Sequence, residues 1–177
     1  MSEPADIRRR PLVVGANHRT SSLGLRDRLF VEDALLPAFF EKLRARGIDQ
    51  AVVLSTCDRV EVQAGHEDTN AAESILAALA EQSGLALEDL RTQAYTHTDE
   101  AAVAHVFSVA ASLDSLVIGE PQVLGQVKAA HRLSRDADMT GTELEALIQA
   151  AFNTAKRVRT ETAVGEGPVS IAAVAVQ

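Results

Sequence analysis

The stretch Val52-Val53-Leu54-Ser55-Thr56-Cys57-Asp58-Arg59-Val60-Glu61 decides the fold of this chain. It begins as an apolar run of β-forming residues and returns to strand-forming residues at Val60. The polar corner at residues 56–59 therefore joins two predicted strands, over residues 50–55 and 60–64. A side chain at such a corner is presented at the edge of a sheet, where binding and catalytic residues concentrate.

The corner carries Cys57, which is the only cysteine among the 177 residues. A thiol followed two residues later by an arginine can act as a nucleophile on a substrate that carries negative charge. A free cysteine is also among the residue types most often buried, so composition alone favours a structural role for it. A single cysteine forms no internal disulfide, which suits a reducing cytoplasm.

Composition narrows the class of protein. The chain is 46% hydrophobic, 24% charged and 3% aromatic, which predicts an aliphatic core and a folded chain. Its net charge of −8 argues against a protein that coats nucleic acid, but it allows a local contact with an RNA end. The apolar runs are too short to span a bilayer and no signal-peptide core is present, so we expect a cytoplasmic protein without membrane contact.

The order of elements predicts the fold. A first strand is expected over residues 11–17, and a helix from about Leu36 with Pro37 in its first turn. The two strands at the corner follow, and then a helix capped by Asp68 or Thr69 that ends near Gly84. A helical turn over residues 87–90 and a strand over residues 92–97 complete a β-α-β-β-α-β order. This order is typical of an α+β, ferredoxin-like sandwich.

The rest of the chain is predicted to be helical, with a helix capped by Thr98 or Asp99, one from Pro121 to about Ala137, and a long one that ends before Thr162. No G-x-G-x-x-G motif is present, and Cys57 and the histidines have no metal-ligand spacing. We expect a disordered tail over residues 1–10, a ferredoxin-like part over 11–97, a helical part over 98–161 and the start of a connector over 162–177.

Four segments together resemble glutamyl-tRNA reductase, in the N-terminal catalytic part of that family. They are residues 17–20 (NHRT) with 25–28 (LRDR), 54–59 (LSTCDR), 113–126 (LDSLVIGEPQVLGQ) and 155–162 (AKRVRTET). Each segment is a weak match by itself, but their order and spacing make the set specific. The likeness covers nearly the whole chain after the arginine-rich start.

The resemblance implies a reaction that begins with glutamate esterified to tRNA(Glu). A cysteine attacks the ester carbonyl, the tRNA leaves, and NADPH reduces the thioester to glutamate-1-semialdehyde, the entry to tetrapyrrole synthesis by the five-carbon route. Cys57 matches the family nucleophile, and a thiol suits that role. His105 matches a histidine that the family needs for activity, either to orient the substrate or as an acid or base.

The other matched positions contact the substrate in the family. The planar fork of Arg59 suits a carboxylate, and Glu120 suits the α-ammonium group of the substrate. The expected substrate-binding residues are Thr56, Asp58, Arg59, Ser115, Glu120, Pro121, Gln122 and Gln126.

The chain departs from the family pattern at three positions. Asp58 stands where the family usually has Asn, Val60 where it usually has Thr, and Ser112 where it usually has Gly. A carboxylate beside a thiolate disfavours the thiolate and repels the substrate carboxylate. The alternative is that Asp58 pairs with Arg59 or faces away from the thiol, and none of the three departures removes a reacting group.

The resemblance also implies a cofactor and partners. NADPH would be bound by a domain that this sequence does not contain, no metal is expected, and we expect the chain alone not to complete hydride transfer. The full-length chain would be a homodimer, with glutamate-1-semialdehyde aminomutase as a downstream partner. Two other classes stay open: a module that binds the aminoacyl end of tRNA without chemistry, and a regulatory domain that uses Cys57 as a thiol sensor.

Overall fold

A computed structural model of the protein describes residues 9–166. Residues 1–8 of the expected tail and 167–177 of the expected connector lie outside the described residues. The strands β1 (Arg10–Asn17), β2 (Ala51–Ser55), β3 (Arg59–His66) and β4 (Tyr95–Thr98) form one antiparallel sheet in the order β2-β3-β1-β4. This is the strand order of the ferredoxin-like fold, and the predicted fold class is confirmed.

Seven α-helices connect and cover the strands within the described residues. They are α1 (Leu23–Leu29), α2 (Leu36–Arg44), α3 (Ala71–Ser83), α4 (Leu87–Gln93), α5 (Asp99–Ala110), α6 (Pro121–Asp136) and α7 (Thr142–Glu161). Short 3-10 turns at Asp33–Leu35 and Ala163–Glu166 precede α2 and follow α7.

Successive side chains of each strand point to opposite faces of the sheet, so a separate core forms on each face. Leu12 and Val14 of β1 and Val62 of β3 pack with α1 to α4 on one face. Val13 and Leu54 pack with α5 to α7 on the other face. The sheet is therefore the middle of three layers, and side chains on both of its faces are excluded from water.

Three local predictions differ from the structure. Helix α1 was not expected, because its seven residues include a glycine and three charged side chains, and only the Ser22 side-chain cap on the Leu25 N–H marks its start. Strand β4 starts at Tyr95, since α4 continues to Gln93 around buried Leu90. Helix α3 starts at Ala71 after Asn70, beyond both caps that were expected.

Gly15 of β1 marks the closest approach between strands. It pairs with Glu61 of β3 on one side and Tyr95 of β4 on the other. A Cβ atom at Gly15 would lie 2.4 Å from both the Glu61 Cβ and the Val60 carbonyl oxygen. The missing side chain at Gly15 therefore permits the close approach of β1 to β3 beside Glu61.

We predict that Gly15→Ala lowers the free energy of unfolding by about 2 kcal/mol, because the methyl group must push β1 away from β3. Urea unfolding of the two chains measures the difference. Gly24→Ala is the matched control: a Cβ there meets no atom within 4 Å and Gly24 lies in α1, so the change should leave the free energy of unfolding unchanged or raise it by up to about 1 kcal/mol. Equal stability of Gly15→Ala and the parent would contradict the close approach.

Candidate active site

The corner between β2 and β3 is held by the side chain and backbone of Thr56. The Thr56 N–H donates to the Arg59 carbonyl at 2.8 Å. The Thr56 hydroxyl oxygen accepts from the N–H groups of Asp58 at 3.2 Å and Arg59 at 3.1 Å. These bonds leave Cys57 at the tip of the corner, where it is exposed to solvent as a free thiol.

A cleft opens beside Cys57 and gathers most of the residues predicted from the sequence. Its walls come from the end of β2, the corner, the loop before α6 and the first turns of α6. Eight of the ten predicted site residues line it: Thr56, Cys57, Asp58, Arg59, Ser115, Glu120, Gln122 and Gln126. Pro121 is the first residue of α6, where its fixed φ favours helix initiation.

The loop before α6 is closed on itself and tied to α7. The Gly119 N–H donates to the Ser112 carbonyl, and the Ser112 hydroxyl donates to the Glu120 carbonyl, both at 2.9 Å. Arg159 of α7 donates to the same Glu120 carbonyl at 3.1 Å. Ser112 adopts a φ of +60°, which is costly for a residue other than glycine, and its hydroxyl bond helps to hold this conformation.

Several polar groups of the cleft are not used by the fold. The Ser115 hydroxyl is buried and has no hydrogen-bond partner among the described residues. The Glu120 side chain does not cap α6, although Glu120 occupies the N-cap position. Gln122 and Gln126 are one helical turn apart, exposed, and directed to the same cleft. The cleft therefore offers a carboxylate, two amides and a hydroxyl to a ligand.

Arg59 lies at the floor of the cleft with 2% of its side chain exposed. Its guanidinium is 3.2 Å from the Asp114 carboxylate, 3.4 Å from Asp58 and 3.5 Å from Glu61. It also donates to the Asp114 carbonyl oxygen. Burial alone would lower the pKa of Arg59, but the surrounding negative charges raise it, so the guanidinium stays charged. Its positive charge is thus shared among protein carboxylates from three parts of the chain.

Glu61 is the second buried charge of the site. Its carboxylate accepts from the Tyr95 hydroxyl and from Gln63 Nε2 at 2.8 Å, and it lies 2.7 Å from His105 Nε2. Burial alone would raise the pKa of Glu61. The hydrogen bond and charge of His105, with the charge of Arg59, instead lower this pKa to about 2.

His105 is not among the residues that line the Cys57 cleft. It lies on α5 beside Glu61, and its Nδ1 is 4.0 Å from the Asp114 carboxylate. Its ring packs against those of Tyr95 and His97 and borders a neighbouring open groove. The structure connects His105 to the cleft through Glu61 and Arg59, and its predicted role in catalysis stays a prediction.

The loop between β1 and α1 contacts the corner from the other side. The Asn17 side-chain oxygen accepts from the Arg19 N–H at 2.9 Å, and buried Arg26 donates to the Ser21 carbonyl at 2.7 Å. In this fixed loop, Arg19 forms an ion pair with Asp114, and His18 contacts Asp58. The NHRT and LRDR segments therefore meet the LSTCDR and LDS segments in space.

Sequence reasoning missed Glu61, Asp114, Arg19 and His18 as members of the site. Arg59, Glu61 and Gln63 alternate with apolar residues, a pattern usually read as a solvent-facing side of a strand. The available signal was the three amphipathic helices after β4, which need a second sheet face to cover. Once that face is covered, the polar side of β3 must be buried.

The described residues lack the features of a Rossmann-type NADPH site and of a metal site. Dinucleotide sites of the Rossmann type use parallel strands and a glycine-rich turn into a helix. The sheet of residues 9–166 is antiparallel throughout, so these residues do not fit NADPH in that manner. Over the same range, no group of three or more His, Cys, Asp or Glu residues is arranged to hold a metal ion, and no helix is long and apolar enough to cross a membrane.

The fold and the cleft define a class of protein: a helix-covered split-βαβ domain with an accessible cysteine among unused polar groups. Residues 14–162 match the family model described as the N-terminal domain of glutamyl-tRNA(Glu) reductase. The chain is 48% identical over 167 residues to the glutamyl-tRNA reductase of Rhodospirillum rubrum, covering 94% of this chain and 39% of that relative. It is also 48% identical over 166 residues to that of Pseudomonas syringae pv. syringae, covering 93% and 39%.

The structure of glutamyl-tRNA reductase from Methanopyrus kandleri is similar, with a TM-score of 0.74 and 29% identity over 94% of this chain and 38% of that one. The chain therefore belongs to the glutamyl-tRNA reductase family and corresponds to its N-terminal domain. It spans about two fifths of the length of the curated relatives it matches.

We predict that Glu61→Gln lowers the free energy of unfolding by about 3 kcal/mol at neutral pH, because it leaves Arg59 buried with less negative charge. The pKa of Glu61 is about 2 in the folded chain, against an ordinary value of 4.5. Its contribution is therefore complete above pH 4.5 and is lost as the pH falls towards 2.

Urea unfolding at a series of pH values checks this prediction. The difference in free energy of unfolding between parent and variant should narrow as the pH falls from 4.5 towards 2. Glu81→Gln is the control, since Glu81 forms an exposed ion pair with Arg46 that contributes little. If this difference in free energy stays constant over the same pH range, the charge of Glu61 is not what stabilises the sheet.

Proposed function

We propose that this chain is the catalytic part of a glutamyl-tRNA reductase and forms a thioester between Cys57 and the glutamyl group of glutamyl-tRNA(Glu). The Cys57 thiolate attacks the ester carbonyl, the new C–S bond replaces the C–O bond, and the terminal ribose oxygen of the tRNA leaves and takes a proton from water to become a hydroxyl. The observation that carries this proposal is the convergence of eight predicted site residues around an exposed thiol.

The unused polar groups of the cleft suit a glutamyl ester. The Glu120 carboxylate can meet the α-ammonium group, and the amides of Gln122 and Gln126 can bind carbonyl and ammonium groups. The Ser115 hydroxyl is a buried donor without a partner among residues 9–166, which favours a ligand atom at that position. The positive end of α6, a helix of 16 residues, opens on the same cleft and favours the negative charge that develops on the attacked carbonyl.

Arg59 supplies positive charge to the floor of the cleft. Asp58 is the one of the three carboxylates contacting this guanidinium that lines the cleft, and its contact of 3.4 Å is long for a hydrogen bond, so a substrate carboxylate can approach by sharing the guanidinium with it. We therefore assign Arg59 a role in attracting the glutamyl carboxylate. Thr56 contributes through the corner, since its hydroxyl is occupied by backbone N–H groups.

His105 acts in this proposal by holding Glu61, and Glu61 in turn holds Arg59. This arrangement favours an orienting role over proton transfer at the thiol, since His105 is absent from the cleft lining. Pro121 acts by starting α6 at the position that brings Gln122 into the cleft.

The later steps belong to the proposal for the whole protein. The thioester would be reduced with NADPH to glutamate-1-semialdehyde, in tetrapyrrole synthesis in the cytoplasm. The whole protein would be a homodimer and would pass its product to glutamate-1-semialdehyde aminomutase. No step through NADPH is assigned to residues 9–166, because they do not fit a dinucleotide of that kind.

We predict that mixing the chain with glutamyl-tRNA(Glu) in the absence of NADPH produces a glutamyl adduct on Cys57, because a thiolate displaces an oxygen ester readily. Intact-mass measurement detects the adduct, and hydroxylamine should cleave it to the free Cys57 thiol and the glutamyl hydroxamate, as expected for a thioester. Cys57→Ser should form no adduct, since its hydroxyl is not ionised at neutral pH.

The outcomes separate the three functional classes. Binding of charged tRNA without an adduct would contradict the thioester step and favour a binding module. Absence of both binding and adduct, with Cys57 still open to alkylation, would favour a thiol-based regulatory domain. An adduct that persists in Cys57→Ser would place the nucleophile elsewhere.

A further inference from the structure

The loop between β1 and α1 brings a histidine against the residue that follows the nucleophile. His18 Nδ1 lies 2.5 Å from the Asp58 Oδ1 atom, and the His18 N–H donates to the Asp58 carbonyl at 3.0 Å. The two side chains are 16% and 15% exposed. Asp58 is therefore attached to this loop by both its side chain and its backbone.

The His18 ring and the Asp58 carboxylate form a close charge contact. A ring nitrogen without a proton and a carboxylate oxygen are both acceptors and would repel at this distance. Neither His18 Nδ1 nor Asp58 Oδ1 forms a hydrogen bond of ordinary geometry with any described residue, so the contact between them is one of charge. A cationic His18 ring at this position offsets the negative charge of the Asp58 carboxylate.

Other cations near the corner cannot replace His18 in this role. Arg59 divides its charge among Asp58, Glu61 and Asp114. Arg19, the other arginine at this edge, is paired with Asp114. The other Asp58 oxygen lies 3.4 Å from the Arg59 guanidinium, so both oxygens of Asp58 face cations.

The position of His18 is also fixed independently of Asp58. Asn17 pairs with Arg59 at the end of the β1–β3 ladder, which places the next residue beside the corner. The Asn17 side chain and buried Arg26 hold the loop that carries His18. The carboxylate is consequently held by a rigid partner.

We propose that His18 is a positioning residue for the nucleophile: it holds the carboxylate of Asp58, the residue next to Cys57, and offsets its charge. The pair lets this chain keep an acidic residue next to the thiol without the repulsion that it would exert on a thiolate or an anionic substrate. The consequence for catalysis depends on the proposed function, but the electrostatic effect on Cys57 does not.

Alkylation of Cys57 in the 177-residue chain tests this inference without tRNA. Neutral iodoacetamide and anionic iodoacetate each form a thioether with loss of iodide, so the ratio of their rate constants reports the local charge. His18→Gln should lower the iodoacetate-to-iodoacetamide ratio about threefold, as expected for one uncovered charge a few ångströms away in a water-like medium. Asp58→Asn in the His18→Gln background should restore the ratio.

A purely structural role for His18 predicts a different result. Loosening of the corner would change both rate constants together, and Asp58→Asn would not reverse the change. That result, or an unchanged ratio in His18→Gln, would overturn the proposal. Asp58→Asn alone should change the ratio less than twofold, because the charge it removes is already offset, and a larger rise would also overturn it.

His66→Gln is a matched control, since His66 lies on β3 away from the cleft and should leave the ratio unchanged. The test can succeed where the thioester experiment fails, because it uses no glutamyl-tRNA. If the chain forms the thioester but His18→Gln does not change the ratio, the proposed function stands and this inference is overturned.

Discussion

The buried guanidinium of Arg59 is the interaction on which the rest of the site depends. A buried charge without partners costs several kcal/mol, so β3 can carry Arg59 only where carboxylates surround it. Asp58 comes from the corner, Glu61 from the same strand and Asp114 from the loop before α6. The sheet, the corner and the loop must therefore assemble together, and the cleft is formed at their junction.

This arrangement separates the charges that hold the site from the groups that remain free for a ligand. The Arg59 guanidinium is paired with the carboxylates of Glu61 and Asp114, and burial makes the geometry of these ion pairs rigid. The Ser115 hydroxyl and the Gln122 and Gln126 amides keep their hydrogen-bonding capacity on the cleft side. Cys57 stays exposed at the tip of a corner whose backbone is fixed by Thr56, which suits the proposed reaction of its thiol with a large substrate.

Much of the fold could be predicted because its signals are local. The apolar run before Cys57 and the order of the other elements indicated the strand pattern, and Pro121 marked the start of α6. Most of the cleft could be predicted because the family motifs contain its residues. The residues that link those motifs in space could not be predicted from the sequence. The contact of His18 with Asp58 depends on the pairing of Asn17 with Arg59, and burial of Glu61 depends on α5 covering the second face of the sheet. Both are long-range consequences of strand register that no single segment reveals.

A double-mutant cycle between Arg59 and Glu61 tests the central claim most directly. Arg59→Met and Glu61→Met each leave a buried charge with fewer partners, whereas the double variant removes both charges together. Urea unfolding of the four chains gives the coupling free energy. If the two charges support each other, the double variant should lose at least about 2 kcal/mol less than the sum of the single losses. Losses that add to within about 0.5 kcal/mol would contradict the account, because Arg59 and Glu61 would then act independently.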